Sequence, residues 1–144
     1  HESLSEPNAG RSYDLDCLAA FIDSSIHTPN PHIEEHDPAE VAQGEQIFND
    51  PDVGCAECHP APYFTDFQVH DVGSGDNPSE KRGPEFDTPT LRTLYRSALY
   101  MHDGSAEALI DVLTTSNSAD QHGSTSHLSE TELEALVAFM LAIP

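Results

Sequence analysis

Two cysteines followed at once by a histidine, Cys55-Ala56-Glu57-Cys58-His59, make the stretch of this 144-residue chain whose chemistry is easiest to name. On one turn of helix, thiols at that spacing reach the two vinyl groups of a haem, and the adjacent imidazole projects under the ring to bind iron. Other uses of these residues fit less well. A structural zinc site needs two more ligands at a matching spacing, and Cys17 is the one other cysteine. A thioredoxin-type redox pair belongs in a βαβ context, which the helical patterning denies. A disulfide between residues so close together is strained. The residues therefore point to one covalently attached c-type haem (heme c) on Cys55 and Cys58, with His59 as an iron ligand.

The remaining chemistry-bearing residues are weighed against that haem. Arg92 and Arg96 lie four apart in a chain with only 5 Lys and Arg. A solubilising face is the plain reading, but Arg92 is expected to meet a haem propionate through charge-assisted hydrogen bonds. Tyr63, Phe64, Leu91, Leu94, Tyr100 and Leu113 are candidate pocket walls, although ordinary core residues would look the same. His27, His32 and His36 read as solvated loop residues rather than a second metal site. Cys17, on an apolar helical stripe, reads as a small buried hydrophobe.

Helices must position these groups. Leu15, Leu18, Ala19 and Ile22 fall at i, i+3, i+4 and i+7, the spacing of one buried helical face. A Pro- and His-bearing loop follows to about residue 36. Asp37-Pro38-Ala39-Glu40 then reads as a helix start, with Asp37 capping, Pro38 in the first turn and Glu40 completing a capping box. Gly44 and Phe48 lie on that helix's inner face, and Gly44 should admit a close neighbour. Past the Cys-His motif the chain is Pro- and Gly-rich to residue 86. Thr88-Pro89 is expected to open a helix using Leu91, Leu94, Tyr95 and Ala98, and another is expected from about Ser105 to Thr115. The last begins at Ser129-Glu130-Thr131-Glu132, a second capping box, and carries Leu133, Leu136, Val137 and Met140. This predicts an all-α fold class, a cytochrome c-type haem domain over 37–144 preceded by a helix and linker over 1–36.

One internal repeat bears on that division. Asp14-Leu15-Asp16-Cys17-Leu18-Ala19-Ala20-Phe21-Ile22 aligns without gaps on Glu132-Leu133-Glu134-Ala135-Leu136-Val137-Ala138-Phe139-Met140. Either two amphipathic helices look alike by chance, or residues 1–26 are the closing helix of a preceding, related domain.

Composition narrows the partners. Against 26 Asp and Glu, the net charge of −21 argues against nucleic acid and against an anionic membrane surface. The acidic skin suits solubility, or attraction of a basic partner. No stretch approaches the roughly 20 apolar residues of a membrane span. The chain starts His1-Glu2-Ser3 without a signal peptide or initiator Met, so a processed or excised piece is expected.

Beyond the motif, the order of segments resembles the C-terminal haem domain of the bacterial dihaem cytochrome c peroxidase-like family. The words are Gly44-x-x-Ile47-Phe48, Cys55–His59, Tyr63-Phe64-Thr65-Asp66, His70-Asp71-Val72-Gly73, Phe86-Asp87-Thr88-Pro89-Thr90-Leu91-Arg92 and Tyr100-Met101-His102-Asp103-Gly104-Ser105. They span about residues 38–143. The resemblance implies terminal helices crossed near Gly44, Phe48 and Phe139, and a propionate contact for Arg92. It also implies a second axial ligand, Met or Tyr, at the position held here by Ser116, which cannot serve. His122 lies just beyond, at a separation from His59 typical of small c-type cytochromes, and is the expected iron ligand. Met101 is the alternative.

Two functions follow. With two protein ligands the iron leaves no site for a substrate, and the chain serves electron transfer. The alternative is the haem domain of a cytochrome c peroxidase-like oxidoreductase, whose distal acid–base group (Glu107, His102 or His122) nothing in the sequence places. A module in which haem mainly organises the fold ranks below both. The expected partners are a redox protein, a neighbouring haem domain or further copies of the chain. Because haem is attached to this motif outside the cytoplasm, a periplasmic or extracellular location is expected. Asp71–Asp76 offers oxygen ligands for calcium, without an EF-hand spacing.

Overall fold

The computed structural model describes residues 12–24, 29–75 and 83–144. Two helices cross to form the frame around the Cys-His motif. Helix α2 spans Pro38–Phe48, with the Asp37 carboxylate accepting from Ala39 N–H and Pro38 in the first turn. The longest helix, here α5, spans Glu130–Ala142 behind Ser129. Ser129 and Glu132 exchange the two bonds of a capping box, as their spacing predicts.

Gly44 sets how closely α2 and α5 approach. A Cβ at this position would overlap the Ala135 carbonyl and crowd Phe139, so only glycine allows the contact. Phe48 and Leu136 are fully buried at the crossing, with Met140, Leu94, Leu109 and Leu113 closing the same cluster. The rings of Phe48 and Phe139 stand 5.1 Å apart. The crossing near Gly44, Phe48 and Phe139 is thus where it was expected.

Between these helices lie short elements. Helix α3, Cys55–Cys58, is a single turn beginning after Gly54, whose φ of 84° a side-chain-bearing residue rarely adopts. Strand β1, Val69–Asp71, pairs antiparallel with β2, Glu85–Asp87, in the register Val69↔Asp87, His70↔Phe86, Asp71↔Glu85. Helix α4 covers only Leu109–Leu113. Short 3-10 turns occupy Ile33–Glu35, Leu94–Arg96 and Thr115–Asn117.

The fold class is therefore mixed helix and sheet, with 43% of the described residues helical, and the all-α expectation is corrected. The cause is local. The segment between the motif and Thr88 has no helical period, so its backbone groups need partners elsewhere, and two extended pieces supply them to each other. The helix expected from Thr88 shrinks to one 3-10 turn for a related reason. Leu91 N–H donates to Phe64 O, and the Thr90 hydroxyl donates to Tyr63 O. These tertiary bonds tie Thr90 and Leu91 to the Tyr63–Phe64 turn instead, and Thr93 at φ 66° breaks the run.

Helix α1, Tyr13–Asp23, forms where its periodicity predicts, capped by Ser12. Its apolar face is not buried, however. Leu15, Leu18 and Ile22 are exposed, and so is Cys17. The readings of that stripe as a buried face, and of Cys17 as a core residue, do not hold among the described residues. No helix is long and apolar enough to cross a membrane among those residues.

Candidate haem site

His59 follows α3 and is buried. Its Nδ1 lies 3.0 Å from Phe64 O. A carbonyl can only accept, so Nδ1 carries the proton and Nε2 keeps its lone pair for a metal. The same oxygen also accepts from Leu91 N–H at 3.3 Å. Phe64 reaches this position through left-handed backbone, φ 52°, while its ring packs edge-on to Phe48. The turn from Pro60 to Phe64 thus fixes the orientation of the imidazole.

Across from His59 stands His122. The two ring centroids are 6.3 Å apart with planes at 45°. Two imidazoles sharing one metal, each nitrogen about 2 Å from it, hold their centres about 6 Å apart, so the spacing fits one iron between them. Burial pushes both pKa values down, for His122 with help from the charge of His59, while the bond to Phe64 pulls that of His59 partly back. Neutral imidazole, the form that ligates metals, is favoured at both positions.

Cys55 and Cys58 are free thiols on the face of α3, both partly buried. Burial raises Cys55 to about 11, and burial followed by the charges of Asp66 and Glu57 raises Cys58. Gly123 at φ 75° lets the His122 loop pass close to Val53 O and Cys55 Sγ, and Ser124 N–H donates to Val53 O at 2.9 Å. The loop bearing the second imidazole is thereby fastened beside the first thiol.

The other expected site residues divide. The Nε of Arg92 is buried and has no hydrogen-bond partner among the described residues, which fits a carboxylate such as a haem propionate. Leu91, Phe64 and Tyr100 are half-buried against the core, and Leu94 and Leu113 are buried within it. Tyr63 is exposed, its ring centroid 6.1 Å from that of Phe67. Met101 is half-buried on left-handed backbone, φ 67°. His102 stacks on Phe86 at 4.2 Å. Ser116 sits in the 3-10 turn Thr115–Asn117. His32 pairs with Glu35 as a surface residue would, whereas His27 and Asp76 lie outside the described residues.

Two groups were missed by reading the sequence. Cys58, Asp66 and His70 bring ligand-type atoms within 4.8 Å of one another, the one such cluster among the described residues. Asp66 accepts from His70 at 2.7 Å, and the Gln68 N–H and His70 hold its carboxyl down at about 2. The words containing Asp66 and His70 were the available signal. Asn117, buried against the His122 loop, carried none: an Asn in a polar run looks like any loop residue.

Comparison with known proteins locates the chain. No family model matches it. It is 36% identical to hydrazine synthase subunit gamma of Kuenenia stuttgartiensis, over 90% of this chain and 48% of that subunit. It is 34% identical to the methylamine utilization protein MauG of Methylophilus methylotrophus, over 70% of this chain and 36% of the relative. Cytochrome-c peroxidase IdrP2 of Denitromonas iodatirespirans is 29% identical over 62% of this chain and 36% of the relative. A solved structure of K. stuttgartiensis hydrazine synthase superposes with a TM-score of 0.71 at 32% identity, covering 90% of this chain and 55% of its counterpart. The chain thus spans about half the length of the hydrazine synthase subunit and about a third of the other two. The likeness to cytochrome-c peroxidases supports haem as the cofactor.

Proposed function

This chain is a haem domain of the dihaem cytochrome c peroxidase family, and on that premise we propose that it carries one covalent c-type haem and transfers electrons. The observation that carries the proposal is the 6.3 Å separation of the His59 and His122 rings, which suits a six-coordinate iron with no vacancy for substrate. Cys55 and Cys58 form the thioether bonds, His59 is the proximal ligand, His122 the distal one, and Arg92 meets a propionate. The facing rings favour His122 over Met101. When bound, the haem supplies one-electron exchange at iron, with two imidazoles placing its potential below that of a His/Met pair.

The residues do the rest. Phe64 O fixes the His59 tautomer and aims Nε2. Phe48, Leu94, Leu109 and Leu113 are buried in the core. Such a core resists rearrangement when charge changes. A single haem must exchange electrons with something else, so the partner is a redox protein, a neighbouring haem domain or another copy. The expected location is periplasmic or extracellular.

The domain boundary near residue 36 is part of the proposal. Helix α1 repeats the α5 pattern yet exposes Leu15, Leu18 and Ile22, as the closing helix of a preceding domain would when described without that domain. The peroxidase-like reading attaches to the longer relatives by their names. In this chain it would need an open distal position.

Spectroscopy of the ferric holoprotein tests the proposal. Optical and electron paramagnetic resonance spectra should show low-spin, six-coordinate iron, converted largely to high-spin iron in His122→Ala. High-spin wild-type iron that takes up cyanide readily would overturn electron transfer in favour of the enzymatic reading. An unchanged low-spin spectrum in His122→Ala would remove His122 as the ligand.

A further inference from the structure

The loop that bears His122 is held by a second side chain with no role in the foregoing. Asn117, 4% exposed, lies at the end of the 3-10 turn Thr115–Asn117. Its Oδ1 accepts from His122 N–H at 2.8 Å. The two protons of its Nδ2 are shared among His122 O at 3.2 Å, Gly123 O at 2.8 Å and Thr125 Oγ1 at 2.9 Å. The orientation of this amide is dictated by its surroundings. The Thr125 hydroxyl spends its proton on Leu113 O at 2.6 Å, so it faces Asn117 as an acceptor. Turning the amide over would set its NH2 against His122 N–H and its oxygen against two carbonyls and the Thr125 oxygen, four mismatches at once.

Both peptide groups of His122 are therefore tied to one buried side chain. Asp120 closes the other side of the loop, accepting from Thr125 N–H and Ser126 N–H at 3.0 Å each. Ser124 N–H reaches Val53 O beside the Cys55 turn. A ligand on an otherwise irregular segment is held at both ends and at its own backbone. Such bracing matters because a distal imidazole on a loose loop leaves its metal often, and any external ligand then enters.

We propose that Asn117 is the positioning residue for the distal ligand, its carboxamide holding the His122 backbone so that the imidazole stays opposed to His59. This rests on His122 being that ligand, and adds a residue that acts through it. The buried amide has no direct part in redox chemistry, so its effect is on how often the distal position opens.

The test is cyanide binding to the ferric holoprotein in four forms: wild type, Asn117→Ala, Thr125→Val and His122→Ala. With His122 in place, cyanide must wait for it to dissociate. Losing the Asn117 bonds should speed binding by about tenfold or more, taking one net hydrogen bond as the minimum lost. Thr125→Val keeps the shape while removing one acceptor, and should accelerate binding less. His122→Ala should bind cyanide at once. Equal wild-type rates in Asn117→Ala and Thr125→Val, with His122→Ala high-spin, would overturn the role of Asn117 alone, even if both variants melted at lower temperature. A low-spin His122→Ala spectrum would instead overturn the ligand assignment, and this inference with it. Should Asn117→Ala fail to fold, Thr125→Val and Asn117→Asp, which keeps the acceptor for His122 N–H, decide the matter by the same rates.

Discussion

Helices α1 and α5 share nine aligned positions of closely similar character, yet Leu18 is 52% exposed where its counterpart Leu136 is at 0%. Cys17 is exposed where Ala135 is sealed beneath Gly44. Ile22 is exposed where Met140 lies in the core. The residues themselves differ little, so the difference lies in what stands opposite. For α5 that is α2, with a glycine at the crossing and Phe48 one turn further on. A helical stripe states which face seeks burial, and tertiary partners decide whether the free energy is realised.

Paired truncations should break the likeness most sharply. Leu136→Ala empties a fully buried position and should destabilise the holoprotein by about 3 kcal/mol, whereas Leu18→Ala should stay within about 0.5 kcal/mol. Denaturant unfolding followed by circular dichroism gives both numbers. Comparable losses from the two would show that α1 is buried against something after all.

Gly44→Ala attacks the partner instead of the stripe. Its Cβ would meet backbone at Ala135, which cannot turn aside. The helices must separate, at a cost of about 1–3 kcal/mol set against less than about 1 kcal/mol regained in helix propensity. A midpoint as high as wild type in the same unfolding assay would mean that the crossing tolerates a methyl group.

The caps provide a gentler contrast. Ser129→Ala removes a capping box at the start of a packed helix and should lower stability by about 1 kcal/mol. Ser12→Ala removes a single cap bond, 3.5 Å, from a helix with an exposed face, and should leave the global transition unmoved. The α5 cap also responds to acid. Hydrogen bonds from Ser129 hold the Glu132 carboxyl below its ordinary range. A lowered folded-state pKa means stability that is present above about pH 4.3 and lost as pH falls through the folded-state value. Melting temperature measured from pH 6 to pH 3 should reveal this small component in wild type, and Glu132→Gln should lack it.

The contrast also explains what could be read from the chain beforehand. The C-x-x-C-H motif, the Asp37 and Ser129 helix caps and the Gly44 crossing depend on neighbours a few residues apart or on a strong local demand, and they were legible, although Asp37 caps through Ala39 N–H without the box expected with Glu40. The segment from Asp66 to Arg96 was not. The course of its described parts, 66–75 and 83–96, is set by bonds between residues far apart in sequence, Thr65 to Thr88 O and Thr90 to Tyr63 O, and helical spacing there gave way to them. Two short strands stood where an all-α chain was expected. His122 could be nominated from its separation from His59, but Asn117 could not, because its significance exists only once the loop has closed around it.

The carbonyl of Phe64 carries one more consequence. It accepts both from the ring of His59 and from the peptide of Leu91, the residue before Arg92. One oxygen divides its electron density between two donors, so strengthening either bond draws from the other. The basicity of His59 Nε2, which rises as the Nδ1–H···O hydrogen bond shortens, is therefore tied through one oxygen to the backbone beside Arg92.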